Sequence, residues 1–127
     1  MAIYESGENY LETILLLEKK TGYVRSIDIA TELGFSKPSV SRAMSILKSD
    51  GFISIETDGQ IKLTESGYEK AQNVYERHIL IRDFLHLVLG VDKRTSEQDA
   101  CRIEHIISDE TYQRLKLFVD KLNEQNN

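Results

Sequence analysis

Apolar residues recur at helical spacing along most of the chain, and turn-forming residues separate the segments that carry them. Leu11 and Ile14 belong to the apolar stripe of a first helix, which Gly22 ends. Ser36 is a favourable N-cap for a third helix, and Pro38 lies in the first turn of that helix, where proline is tolerated. The patterns predict helices over residues 8–20, 27–33, 37–49, 65–89, 96–108 and 109–122. In the second helix, the residues predicted to face inward are Ile27, Ile29, Ala30 and Leu33. The other predicted caps are Gly34 at the end of the second helix, and Thr64 and Ser108 at the starts of the long helix and the last helix.

Two short segments after the third helix alternate apolar and polar residues and predict a β-hairpin. Residues 52–55 and 61–64 are joined by a turn that contains Asp58-Gly59, a strong hairpin signal. The order helix, helix, turn, helix, hairpin is that of a winged helix-turn-helix. We therefore expect a mainly α protein, with a winged helix-turn-helix DNA-binding domain over residues 1–64 and a helical dimerisation domain over residues 65–127.

The composition is ordinary for a soluble protein: of 127 residues, 40% are hydrophobic and 29% are charged. The apolar runs are too short to span a bilayer, and the N-terminus has no basic segment leading into an apolar core. A single cysteine cannot form an internal disulfide. We expect a cytoplasmic protein without a membrane partner, in which the thiol stays reduced and free to bind metal.

The net charge of −5 argues against a nucleic-acid partner, but the distribution of charge changes this expectation. Residues 22–50 contain four basic and three acidic residues, and a local positive face can bind phosphates on an acidic chain. The first turns of a recognition helix, here the third helix, meet base edges, and Arg42 can bind guanine through two hydrogen bonds. A lone helix of this kind would be read as a solvated face, but the complete motif favours DNA. The predicted contacts to double-stranded operator DNA are Arg25, Ser36, Lys37, Pro38, Ser39, Ser41, Arg42 and Lys48, with Arg25, Lys37 and Lys48 on phosphates.

One short segment contains the only cysteine, a carboxylate and an imidazole. On a helix, Cys101, Glu104 and His105 would share one face, because residues three and four apart are neighbours. Thiolate, carboxylate and imidazole are ligands of transition metals. Alone, Cys101 would more often be a small buried apolar residue. Its spacing to the other two residues favours a metal site that other parts of the chain must complete.

The stretch from Asp99 to Glu110, with the sequence DACRIEHIISDE, resembles the principal metal site of the iron-dependent repressor (diphtheria toxin repressor) family. Further matches are Asn9–Glu12, Pro38–Ser41 and Arg77-His78, and the similarity extends over about residues 5–122. The branch stays open, because this stretch closely matches the iron branch, whereas the chain looks like the short form of the manganese-regulator branch, which lacks the C-terminal SH3-like domain. The resemblance implies a metal-activated repressor that binds DNA as a homodimer.

The resemblance also implies metal ligands on three helices. Asn9 stands where the manganese branch has a carboxylate and the iron branch a thioether. Arg82 stands where the iron branch has a glutamate of an ancillary site, so that this site is lost in its usual form or Arg82 pairs with a nearby acid. Glu97 lies near another ancillary position, but it also suits the N-terminus of a helix. The implied ligands are Asn9, Glu12, His78, Cys101, Glu104 and His105.

Donor chemistry leaves the metal open between Fe²⁺ and Mn²⁺. The Cys101 thiolate favours Fe²⁺, whereas the oxygen donors suit Mn²⁺, and Zn²⁺, Co²⁺ or Ni²⁺ could occupy the site in vitro. An ion held by the first helix and the 96–108 helix would fix two recognition helices of a dimer at the ~34–36 Å spacing of successive major grooves. The alternatives are a winged-helix regulator that responds to a small molecule, a metalloenzyme with an open coordination position, or a plain dimerisation module. The enzyme is disfavoured because the sequence shows no separate general base and no glycine-rich phosphate loop.

Overall fold

The computed structural model describes residues 5–125, which divide after Asn73 into two compact units. The first unit contains α1 (Glu5–Thr21), α2 (Ser26–Leu33), α3 (Lys37–Ser49), β1 (Ile53–Ile55), β2 (Ile61–Leu63) and the start of α4 (Glu65–Asp83). The second unit contains the rest of α4, a π-helical segment (Phe84–Val88), α5 (Lys93–Ile103) and α6 (Asp109–Gln125). Helices dominate both units, and the first has the element order of a winged helix-turn-helix. The predicted fold class is confirmed.

The helix-turn-helix core of the first unit is built from one apolar stripe on each of its three helices. Ile14 of α1, Ile29 of α2, and Val40 and Met44 of α3 are almost fully buried. Burial of each such side chain contributes about 1.5–3 kcal/mol. Because an isolated helix of 8 residues, the length of α2, is not stable in water, this packing is what holds α2 in place.

Ile27 was predicted on the buried side of α2 and is exposed. The prediction is wrong because α2 buries Ile29 and Ala30. Ile27 precedes Ile29 by two residues and therefore projects about 200° away from it around the helix. The apolar character of Ile27 alone did not reveal which side of this short helix faces the core.

The turn between α2 and α3 depends on a glycine and a serine. Gly34 has a φ of 70°, a left-handed conformation that suits a residue without Cβ, and its N–H donates to Ala30 O at 2.9 Å. Ser36 Oγ accepts a hydrogen bond from Ser39 N at 3.3 Å and caps α3. Pro38 lies in the first turn, where a missing N–H costs nothing. The predicted caps of this motif are confirmed, and the helix bounds agree with the prediction to within one residue.

The wing is an antiparallel hairpin in which Ile53 lies opposite Leu63 and Ile55 lies opposite Ile61. Ile53 and Ile61 are buried, and the residues that alternate with them are exposed. Gly59 in the connecting turn has a φ of 89°, as a tight hairpin turn requires. The hairpin is confirmed, although each strand is one residue shorter than predicted.

A close backbone contact joins the wing to α4. Thr64 Oγ1 accepts a hydrogen bond from Gly67 N at 3.1 Å and donates to Gly51 O at 2.6 Å, which confirms Thr64 as the N-cap of α4. A Cβ added to Gly67 would lie 1.9 Å from Phe52 O. Only glycine therefore permits the first turn of α4 to lie this close to the chain before β1.

The long helix predicted over residues 65–89 is interrupted in the structure. α4 ends at Asp83, and residues 84–88 form a π-helical turn. Leu89 N donates to Phe84 O at 3.2 Å, the five-residue spacing of a π-helix. Because four of the five residues in this turn are apolar, the hydrophobic pattern does not show the change of period.

α5 begins at Lys93 rather than at residue 96, and it ends at Ile103 rather than at residue 108. The early start has a local cause, because the Asp92 carboxylate accepts hydrogen bonds from Arg94 N at 3.1 Å and Thr95 N at 3.3 Å. The early end leaves the Glu-His pair of the candidate metal motif at and beyond the C-cap of α5, and not inside the helix.

α6 contacts α4 through an arginine and the π-helical segment through a phenylalanine. The Arg77 guanidinium donates to the Asp109 carboxylate at the start of α6, and Arg77 Cζ lies 5.0 Å from the Tyr112 ring centroid. The rings of Phe84 and Phe118 meet edge to face with centroids 6.1 Å apart. These contacts orient α6 within the second unit.

α1 and α6 each extend three residues beyond their predicted outer ends, to Glu5 and Gln125. Ser108 Oγ accepts a hydrogen bond from Thr111 N at 3.1 Å, which confirms the predicted cap of α6. Within residues 5–125, these helices and all others are too short or too polar to cross a membrane.

We expect the Gly67→Ala variant to be destabilised, because the new Cβ would overlap Phe52 O and two backbone segments would have to move apart. Overpacking of this kind costs about 1–3 kcal/mol. Urea unfolding of both proteins measures the difference. The control Glu69→Ala, at an exposed position of the same helix, should change the free energy of unfolding by less than about 0.5 kcal/mol. A Gly67→Ala protein as stable as the wild type would contradict the close contact.

Candidate metal centre and nucleic-acid interface

On α5, two small buried residues and a buried carboxylate lie along one stripe of the helix. Ser96, Ala100 and Glu104 follow one another at four-residue spacing and are almost fully buried. The two small side chains allow close packing, and Ser96 Oγ donates to Val91 O at 3.2 Å. The packing that places α5 therefore also buries Glu104, at the C-cap of this helix.

Two imidazoles flank the Glu104 carboxylate. Its Oε2 lies 2.9 Å from His78 Nδ1, and its Oε1 lies 3.2 Å from His105 Nε2. His78 comes from α4, whereas His105 directly follows Glu104 in the chain. The side chains of His78 and His105 are only 15% and 2% exposed, so solvent hardly reaches the cluster. A buried carboxylate requires such partners, because an unpaired charge in the interior is strongly destabilising.

The second ring nitrogen of His78 contacts another carboxylate. His78 Nε2 lies 2.7 Å from Glu97 Oε2. Arg82 Nη1 lies 3.6 Å from Glu97 Oε1, and Arg82 Nη2 lies 3.1 Å from Asp83 Oδ1. Arg82 thus pairs with nearby acids, one of the two outcomes expected from the sequence. The Glu97–His78 contact was not predicted, because it depends on how α5 packs against the end of α4.

The carboxylates hold a proton on His78. The hydrogen bond with Glu104, supported by Glu97 and opposed by burial, raises the pKa of His78 to about 9. Burial raises the pKa of Glu104, but the contacts with His105 and His78 outweigh it and keep this pKa below its usual value. At neutral pH the cluster therefore contains an ionised carboxylate beside an imidazolium.

This donor set fits a divalent transition metal. His78 Nδ1 lies 2.9 Å from one oxygen of the Glu104 carboxylate, and His105 Nε2 lies 3.2 Å from the other. Imidazole and carboxylate together suit Fe²⁺, Mn²⁺ and their neighbours. A bound cation would take over the charge balance that the His78 proton now provides. Glu97 could orient the His78 ring from the other nitrogen, as carboxylates do for metal-bound histidines.

Cys101 differs from Glu104 and His105 in its exposure. Its thiol is exposed, because Cys101 follows the buried Ala100 by one residue and projects about 100° away from the buried stripe. The helix that would have aligned all three residues also ends at Ile103. The structure brings Glu104 and His105 together, while the role of Cys101 as a ligand stays a prediction.

Asn9 and Glu12, the remaining predicted ligands, lie on α1 in the first unit. They are three residues apart and therefore on the same side of the helix. Glu12 is buried and Asn9 is half-buried. The backbone carbonyl oxygen of Asn9 accepts a hydrogen bond from Thr13 Oγ1 at 2.8 Å. Their assignment as ligands also stays a prediction.

The exposed side of α3 carries most of the predicted DNA contacts. Ser36 has a structural role, because its hydroxyl donates to Ser39 Oγ at 2.8 Å and accepts from Ser39 N. In the part of the chain that the structure describes, Lys37, Arg42 and Lys48 make no ion pair. These cations remain available for phosphates or base edges. The exposed residues are Ser36, Lys37, Pro38, Ser41, Arg42 and Lys48, and Ser39 is half-buried.

Arg25 is the one predicted DNA contact outside α3 and its cap. It precedes α2 and is exposed. Its guanidinium donates a hydrogen bond to Asp58 O in the turn of the wing. Arg25 is therefore engaged within the first unit, unlike the three cations of α3.

The sequence of this chain is similar to those of known transcriptional regulators. The transcriptional regulator MntR of Escherichia coli O157:H7 is 36% identical over 114 residues, which are 90% of this chain and 73% of MntR. The family model for the N-terminal DNA binding domain of iron dependent repressors matches residues 2–61, and that for their metal binding and dimerisation domain matches residues 64–126. The chain belongs to the iron-dependent repressor family.

Two further relatives support this assignment. An HTH-type transcriptional regulator of Methanocaldococcus jannaschii is 34% identical over 122 residues, covering 95% of this chain and 98% of that protein. The solved structure of the manganese regulator SloR matches with a TM-score of 0.80 and 27% identity, covering 94% of this chain and 55% of SloR. The chain thus spans about half the length of SloR and of the metal-dependent transcriptional regulator MtsR. The resemblance noted in the sequence is confirmed, and the family is one of metal-dependent transcriptional regulators.

In protein treated with a chelator, we expect the stabilisation of the fold by His78 to depend on pH. The pKa of His78 is about 9 in the folded protein and 6.5 in its unperturbed state. Because the folded value is higher, the stabilisation is complete below pH 6.5 and is lost as the pH rises through 9. The stability difference between wild type and His78→Gln should shrink by on the order of 1–3 kcal/mol between about pH 6 and pH 10.

Urea unfolding with EDTA at the two pH values measures this difference. His86→Gln is the matched control, because His86 Nδ1 contacts a backbone carbonyl, Val91 O, and not a carboxylate. A His78→Gln difference that is the same at both pH values would contradict the ion pair with Glu104.

Proposed function

We propose that this protein is a transcriptional repressor that binds operator DNA as a homodimer when loaded with Fe²⁺ or Mn²⁺, and that it controls genes of metal homeostasis. The observation that carries the proposal is the buried Glu104 carboxylate between His78 and His105. A helical domain without a ligand has no need to bury an ionised carboxylate among imidazoles. The helix-turn-helix of the same chain supplies the output that such a metal sensor requires.

The proposed ligand set extends the cluster of the second unit. His78, Glu104 and His105 are supported by their geometry, and Asn9, Glu12 and Cys101 by the sequence resemblance. When bound, the metal would supply a divalent positive charge to this carboxylate-rich site. Oxygen and imidazole donors suit Mn²⁺ and Fe²⁺ alike, and a Cys101 thiolate would favour Fe²⁺.

We propose α3 as the recognition helix. Arg42 is exposed in the second turn of α3, where it can reach a base edge. Lys37 and Lys48 can bind phosphates at the two ends of the helix. Ser39 and Ser41 have small side chains that allow a close approach to the groove. Ser36 and Pro38 shape the N-terminal end of α3, and Ser36 can still offer its exposed hydroxyl to a phosphate.

Exposed apolar side chains of the second unit support the proposed homodimer. Large exposed apolar residues are typical of interaction surfaces. The matching family domain is described as a dimerisation domain, so a second copy of this chain is the proposed partner. The exposed residues are Leu87, Val88, Leu89, Ile106, Leu117 and Phe118.

We expect metal to strengthen DNA binding by at least about tenfold, which corresponds to ~1.4 kcal/mol. The probe is a fluorescein-labelled duplex selected from a random pool with the Mn²⁺-loaded protein. Fluorescence anisotropy compares Fe²⁺, Mn²⁺ and EDTA under reducing, anaerobic conditions. Equal affinity in all three would overturn metal control and leave a regulator that responds to another ligand.

Glu104→Ala tests the site in the same assay. The variant should lose the metal response and remain dimeric by analytical ultracentrifugation, because the exposed apolar residues are unchanged. The matched control is Glu110→Ala, which removes an exposed carboxylate from the first turn of α6 and should keep the metal response. A Glu104→Ala protein with a full metal response would rule out this site.

We expect Arg42→Ala to weaken binding to the selected duplex more than binding to a mixed-sequence duplex, because Arg42 is proposed to read a base. The loss of one bidentate base contact amounts to about 1–3 kcal/mol. Lys48→Ala is the control for a phosphate contact and should weaken both duplexes equally. Equal losses for Arg42→Ala on both duplexes would place Arg42 on the phosphate backbone instead.

A further inference from the structure

The segment that precedes α2 lies beside the wing and extends its sheet contacts. Ile61 N of β2 donates a hydrogen bond to Val24 O at 2.8 Å. Val24 is buried and anchors the segment 23–25, whereas its neighbours Tyr23 and Arg25 are exposed. Tyr23 and Arg25 on either side of this anchor both contact the turn of the wing.

Both oxygens of the Asp58 carboxylate in that turn are bound within the protein. Tyr23 OH donates to Asp58 Oδ2, and Gln60 N donates to Asp58 Oδ1 at 3.0 Å. The hydrogen bonds from Tyr23 and Gln60 lower the pKa of Asp58, so the wing turn carries a full negative charge at neutral pH. These contacts direct that charge toward the protein and fix its position.

Arg25 closes the contact between the helix-turn-helix and the wing. Its guanidinium donates to Asp58 O, and its Cζ lies 5.7 Å from the Tyr23 ring centroid. It also lies over Gly59, where an added Cβ would be 3.6 Å from Arg25 Nε. The backbone N–H of Arg25 donates to Asp28 Oδ2 at 2.9 Å in the first turn of α2. One residue thus connects the start of α2 to the turn of the wing.

We propose that Arg25 and Tyr23 are positioning residues for DNA binding, which hold the wing turn 57–60 against the helix-turn-helix, and that Arg25 does not contact phosphate. The proposal rests on the proposed DNA-binding function and revises the role that the sequence suggested for Arg25. Loss of either residue would loosen the turn and release the Asp58 carboxylate, which repels DNA phosphates. Affinity would therefore fall without the loss of a protein–phosphate contact.

The dependence of DNA affinity on salt separates the two roles of Arg25. Loss of one phosphate contact reduces the magnitude of the negative slope of log K against log salt concentration by about 0.9. Substitution of a positioning residue leaves this slope unchanged. The measurement uses Mn²⁺-loaded protein and a selected duplex of about 30 base pairs, which accommodates two half-sites one helical turn apart. The variants are Tyr23→Phe, Arg25→Gln and, as a phosphate-contact control, Lys37→Gln.

Tyr23→Phe should weaken DNA binding by about threefold to tenfold, the effect of one hydrogen bond, without a change in slope. Arg25→Gln should weaken binding at least as much, again with an unchanged slope, whereas Lys37→Gln should lower the slope. In the free protein, hydrogen exchange of the Gln60 amide should be at least about threefold faster in Tyr23→Phe than in the wild type.

An Arg25→Gln slope that falls as far as that of Lys37→Gln would overturn the proposal, because Arg25 would then contact phosphate. Unchanged DNA affinity in both Tyr23→Phe and Arg25→Gln, or unchanged hydrogen exchange at the Gln60 amide, would also overturn it. A wild-type protein that binds no DNA with Mn²⁺ would instead overturn the proposed function. The two failures are distinguishable because only the second affects the wild type.

Discussion

Burial of the Glu104 carboxylate is the constraint on which the arrangement of the second unit depends. Removing a carboxylate from water costs several kcal/mol unless cations and hydrogen bonds compensate for it. His78 provides this compensation through a hydrogen bond to one carboxylate oxygen, and the His105 ring lies 3.2 Å from the other oxygen. His78 in turn needs its second nitrogen satisfied, and Glu97 does this while paired with Arg82. The ionic contacts around the end of α4 therefore follow from one buried charge.

The same constraint explains how the cluster would respond to a metal. The charge balance at Glu104 includes a proton on His78, whose pKa is raised to about 9. A divalent cation and this proton cannot both be accommodated beside one carboxylate, so metal binding would release the proton. Arg82 adds a fixed positive charge next to Glu97, which disfavours a second cation on that side of His78. The cluster is thus better suited to one ion beside Glu104 than to a pair.

The first unit is organised by backbone contacts around the wing. At its base, Thr64 caps α4 and Gly67 allows α4 to lie against Phe52 O. At its turn, Tyr23 and Arg25 hold Asp58. The wing is therefore held at its base by the start of α4 and at its turn by the segment that precedes α2. Such a unit can present α3 and the wing together, which favours DNA binding because little ordering entropy remains to be lost.

The sequence by itself determined most elements of this protein and several of their caps, because these depend on neighbouring residues. Gly34, Ser36 and Thr64 mark helix ends through contacts within a few positions along the chain, and the hairpin turn is equally local. The candidate metal motif was also evident, since His105 and Glu104 are adjacent and match a family pattern. Exposed cations of α3 could be foreseen from the same helical periodicity.

Only the tertiary structure decided which side chains of these elements meet. Cys101 and Glu104 share a motif, yet one is exposed and the other buried, because the packing of α5 selects one stripe of the helix. The pairing of His78 with Glu97 and the contact of Arg25 with the wing likewise join segments distant in sequence. Local patterns carry no information about such contacts, since the partner of each group is chosen by the packing of whole elements.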